Sequence, residues 1–125
     1  MIKSIYIERL KTLKKDYSKL NKIVINKKKI VDEYIILINE VLKDIEDITK
    51  NKKIEPNIKY IEIDKKSKYI ETISSKISSI QSTIEENFNK LDREKSILVE
   101  SCIEEYSDKP REEVLIEIDR IFNEK

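Results

Sequence analysis

The chain has 125 residues, of which 41% are charged and 38% apolar; it carries a net charge of +1, two prolines, one cysteine, and no glycine or histidine. A chain this short supports one domain, and so charged a composition fits solvent-washed helices better than a broad globular core. Without glycine the usual tight β-hairpins and phosphate-cradling loops cannot be built, and without histidine the commonest general base and metal ligand is missing.

The first helix is predicted over residues 3–50. Tyr6, Leu10, Leu13, Tyr17, Leu20, Val24, Val31, Tyr34, Ile38, Val41, Ile45 and Ile48 step alternately by four and three, and Lys27 is the only polar residue among the thirteen positions of that series. Such spacing lays one apolar stripe along one helix, in the manner of a coiled coil, and requires partner helices. Ile is a weaker helix former than Leu or Ala, so tertiary contacts must hold the helix. A connector is predicted over 51–65, because Pro56 disfavours helix at Glu55 and lacks an amide donor; a helical start at Pro56 itself is the alternative.

The second helix is predicted over 66–107. Its stripe runs Ile70, Ile73, Ile77, Ile80, Ile84, then Phe88, Leu91, Leu98, Cys102 and Tyr106. The step from Ile84 to Phe88 is four where three was due, a stutter that locally unwinds a supercoil. Lys95 falls on the shifted stripe and must lay its methylenes across the seam. Ser107-Asp108-Lys109-Pro110 reads as a stop followed by a start, with a capping side chain and a proline in the first turn. The third helix is predicted over 110–124, with Val114, Leu115, Ile118, Ile121 and Phe122 on one face.

Charge orients the two long helices. Residues 1–30 hold ten bases and two acids, a net of +8, whereas residues 69–108 hold four bases and nine acids, a net of −5. An antiparallel turn near residue 55 sets opposite signs level with each other, and a parallel arrangement would set like against like. The expected fold class is therefore all-α: a long antiparallel, coiled-coil-like helical hairpin followed by a short C-terminal amphipathic helix in one domain spanning 1–125.

Between Ile30 and Ile45 the first helix carries more apolar side chains than a two-stranded seam needs, and Tyr34-Ile35-Ile36-Leu37-Ile38 is apolar all round. The second helix offers mostly Ser or Thr beside its seam there. The third helix is too short to reach, and its natural dock is Ile97, Val99 and Ile103. Ile30, Tyr34, Ile35, Leu37, Ile38 and Leu42 are thus expected to bind a partner, with Ile116 and Phe122 of the terminal helix as secondary candidates. That partner is either a second copy, giving a homodimer, or another helical protein in a hetero-complex. A break near Asn26-Lys27-Lys28-Lys29, folding the surface inward, is the competing arrangement.

No catalytic constellation, cofactor site or metal site is expected. A lone Cys102 on the apolar stripe reads as a buried structural thiol, and neighbouring acids such as Glu104-Glu105 point about 100° apart on a helix. The basic opening segment, with Lys11, Lys14, Lys15, Lys19 and Lys22, offers a nucleic-acid-binding alternative, set against neutralisation by the acidic second helix. The longest apolar run, Tyr34 to Ile38, cannot span a membrane, and residues 1–6 lack the features of a signal peptide. The expectation is a soluble, cytoplasmic protein. Ile-rich apolar content, Lys as the usual base and frequent Asn suggest AT-rich coding, as in a bacterium or a phage.

In outline the pattern resembles the small helical-hairpin substrates and partners of type VII secretion systems. Tyr60-x-x-x-Asp64 matches the short export signal of that system, although here it falls in the predicted connector. The Trp-x-Gly turn of the best-known members is absent. The functional expectation is a non-enzymatic helix-binding protein: an adaptor, assembly factor, chaperone or inhibitor.

Overall fold

The computed structural model describes residues 2–124 as three helices, α1 (Ser4–Lys50), α2 (Pro56–Glu105) and α3 (Arg111–Asn123). The fold is the expected one, an antiparallel pair of long helices followed by a short third. α1 continues without interruption through Lys27–Lys29, so the alternative with a break there does not occur.

The connector is shorter than the sequence suggests. It occupies only 51–55, because α2 starts at Pro56, ten residues earlier than the predicted 66. Proline suits the first position of a helix, where its missing N–H has no intrahelical acceptor and its fixed φ is already helical. The turn is built without any residue of positive φ. The Asn51 side-chain oxygen accepts from the Lys53 N–H at 2.9 Å, and the Lys59 ammonium donates to the Thr49 carbonyl at 3.2 Å, satisfying an end group of α1. At the second turn the Lys109 N–H donates to the Tyr106 carbonyl at 3.0 Å. Pro110 itself occupies the cap position of α3, not its first turn, and no side chain caps that end, so the capping side chain expected in 107–110 is not found. Glu112 and Glu113 in the first turn of α3 complement the helix dipole instead.

The chain divides into two compact units, one comprising Met1–Ile23 with Ile84–Lys125 and the other Val24–Thr83. On α2 the division falls where the apolar stripe changes step.

The first unit is a three-helix bundle. Its core joins Ile2 and Leu10 from the start of the chain, Cys102 of α2, and Val114, Ile118 and Ile121 of α3, all buried. The spacing of Val114, Ile118 and Ile121 explains the docking of α3, since these residues form one face at i, i+4 and i+7. Val99 and Ile103 pack against this core as expected, but Ile97 does not and is 68% exposed. The core that α3 joins draws on both long helices, with Leu10 of α1 and Cys102 of α2 buried beside Val114 and Ile118 and with Ile7 packed against it, and Ile97 is not part of it. The Arg111 guanidinium meets Glu100 in a forked pair at 2.7 and 3.3 Å, and Lys14 donates to the Glu124 carbonyl near the other end of α3.

The second unit is a two-helix seam. Val31, Tyr34, Ile38, Val41, Ile45 and Ile48 of α1 are half-buried, as are Ile63, Ile70, Ile77 and Ile80 of α2. Among its residues only Ile73 is fully buried. Lys66 and Asp44 pair across the seam at 3.7 Å, one of the opposite-sign contacts the antiparallel arrangement allows.

Candidate association surface

Six side chains of α1 were expected to meet a partner, and the structure divides them by helix face. Tyr34 and Ile38 lie on the seam stripe and are half-buried, as is Ile30 on the flank of that stripe. Ile35, Leu37 and Leu42 remain 45%, 37% and 50% exposed, and Ile36 between them is 57% exposed. Three consecutive positions turned outward cannot be covered by one neighbouring helix, because successive residues point about 100° apart. Single exposed aliphatic residues are ordinary on protein surfaces, whereas a contiguous group of large ones marks an interaction site.

Sequence reasoning missed other members of this exposed set. Ile25 of α1 and Ile58, Ile61 and Tyr69 of α2 are all about half-exposed, and Tyr60 is 74% exposed. Those on α2 had been placed in or beside a connector, where helical facing could not be assigned. Tyr60 and Asp64 of the secretion-like motif consequently lie on a helix. The serines of α2 at 74, 75, 78 and 79 are exposed, so this helix presents a small polar face.

On α3 the two secondary candidates part company. Ile116 is 69% exposed. Phe122 serves the bundle: its ring meets Tyr17 edge-on at 5.9 Å between centroids and 83° between planes, and the Lys95 ammonium lies 4.2 Å from its centre. That contact resolves how a lysine sits on the apolar stripe, by cation–π attraction over an aromatic face. Tyr17 also donates a hydrogen bond to Asp92 at 2.6 Å. Burial, then this bond to a carboxylate, holds the Tyr17 phenol well above its ordinary ionisation range.

A shallow groove of about 580 Å³ lies between α1 and α2 in the first unit, floored by Leu13 and Leu98 and flanked by the exposed Ile5 and Ile97. Glu8, Arg9, Asp16 and Glu94 line its sides. Leu13 and Leu98 belong to the two stripes and Ile97 was expected under the third helix, but a groove here was not anticipated, because Ile5 and Ile97 fall off the stripes that organise the pattern.

Among the described residues no cluster of three or more potential metal ligands occurs, and no helix is long and apolar enough to cross a membrane. Cys102 is buried, and burial raises its thiol ionisation above the ordinary range. The basic segment is only sparsely neutralised by direct pairing. Lys3 pairs with Glu105, but Lys11, Lys15, Lys19 and Lys22 are exposed and form no ion pair among the described residues.

Compared with known protein families, curated protein sequences and solved structures, the chain matches none of them.

Proposed function

We propose that the protein is a helix-binding module that acts through the middle of α1, as an adaptor, assembly factor, chaperone or inhibitor without enzymatic activity. The observation that carries this reading is the outward-facing run Ile35-Ile36-Leu37 with Leu42, on a helix whose seam residues are already engaged. Covering the exposed remainder of each such side chain contributes about 1 kcal/mol, half the value for complete burial. Four of them give about 4 kcal/mol, near the lower limit of what immobilising two molecules costs. Stable association therefore requires a partner that brings apolar surface of its own.

Replacing Ile35, Leu37 and Leu42 together by Gln tests the reading. Particle mass from light scattering is expected to fall while far-ultraviolet circular dichroism keeps its helical amplitude. An unchanged mass would contradict it.

One observation favours a second reading, binding to a polyanion such as nucleic acid. Lys11, Lys15, Lys19 and Lys22 recur at i, i+4, i+8 and i+11, so they form an exposed stripe along one face of α1. Gel shifts on duplex and single-stranded oligonucleotides at low salt decide it: tight binding that weakens steeply with salt supports this reading, and none at low salt removes it.

A further inference from the structure

Beside the seam, α1 carries a second series at the same alternation of four and three: Lys28, Asp32, Ile35, Asn39, Leu42 and Glu46. Every member is exposed. The stripe is apolar at Ile35 and Leu42, polar at its centre, basic at one end and acidic at the other. Laid against its own reverse, the stripe sets its basic end on its acidic end.

We infer that a second copy of this chain occupies this stripe, with the two α1 helices antiparallel about a twofold axis near residue 37; this rests on the association reading above and names its partner. In that register Lys28 of one copy is level with Glu46 of the other, and Ile35 is level with Asn39. Asp32 is level with Leu42 and one position from Lys43. Each ion pair occurs twice, as a twofold interface requires. Lys28, Asp32 and Lys43 form no ion pair within the chain among the described residues, and Glu46 has only the exposed Lys50 one turn away. A parallel, in-register pair would set Lys28 on Lys28 and Glu46 on Glu46, and like charges facing each other select against it. Sliding the antiparallel pair by one heptad in either direction sets Ile35 against Glu46 or Asp32 and parts Lys28 from Glu46, losing the charge matching.

Two measurements on the full chain test the orientation. Lys28→Glu is expected to weaken self-association about tenfold or more by setting Glu against Glu46 at two places, and Lys28→Glu with Glu46→Lys is expected to recover it. Spin labels at Asn39→Cys and Lys27→Cys, in a Cys102→Ala background, report geometry by electron double resonance. The antiparallel pair places the two labels at 39 close together and the two at 27 about 30 Å apart along the helices, from the 1.5 Å rise per residue. Short distances at both positions, or indifference to the charge changes, overturn the antiparallel pair, and a chain that stays monomeric overturns any self-pairing. If the mass still falls with the triple Gln change while the distances disagree, the association reading stands and only this orientation fails. If the triple change leaves the mass unaltered, both fail together.

Discussion

The two compact units use the same helices and the same four-three spacing, yet they bury their apolar residues to very different extents. Where α3 is present, Leu10, Cys102, Val114 and Ile118 are nearly inaccessible, at 0–1% exposure. Where only α1 and α2 meet, nearly every seam residue stays half-buried and Ile73 alone is enclosed. Two helices share one line of contact, whereas a third closes a core on several sides, which is why a bare hairpin leaves its stripe partly wet. The contrast identifies the second unit as the one that gains most from another helix, and it is also the unit that displays Ile35, Ile36, Leu37 and Leu42.

Truncation of core residues gives the largest expected effect and the sharpest break of this comparison. Ile118→Ala in the three-helix unit should cost about 3–4 kcal/mol, through lost burial and the cavity left behind. Ile77→Ala in the two-helix unit should cost about 1–2 kcal/mol, since part of that side chain already faces solvent. Denaturant titrations with linear extrapolation measure both. Equal losses would remove the distinction between the units.

A smaller effect is expected at the aromatic contact that ties α3 to the pair. Tyr17→Phe keeps the ring against Phe122 but removes the bond to Asp92, at a cost of about 1 kcal/mol. Because folding favours the neutral phenol, its contribution is complete below the ordinary tyrosine value of about 10 and is lost as pH rises above it. The wild type should therefore lose more stability than Tyr17→Phe between pH 9 and about 11. Parallel losses in the two proteins would show that the hydrogen bond contributes nothing.

Much of this contrast was legible in the sequence, for identifiable reasons. Tyr6 to Ile48 and Ile70 to Tyr106 keep their spacing over many turns, so the hairpin and its sense followed from periodicity and from charge. Pro56 was ambiguous, because the same residue that ends one helix can begin the next, and the ten helical residues from 56 to 65 were lost to that ambiguity. The seating of α3 depends on a surface shared by Ile7, Leu10 and Val99, a three-body arrangement that no single stripe announces. Ile97 was misplaced for the same reason. The exposed middle of α1 was visible from the excess of aliphatics at 35–37 and 42, and the structure keeps these side chains outward while α1 runs unbroken. Phe122 could be separated from Ile116 only by the partners it meets, Tyr17 and Lys95.

The particle mass of the unmodified chain across a dilution series down to low micromolar concentration tests the central claim most directly. The account predicts a mass well above the 14.9 kDa of one copy, falling toward it as the protein is diluted. A folded, helical species at 14.9 kDa over the whole series would contradict it.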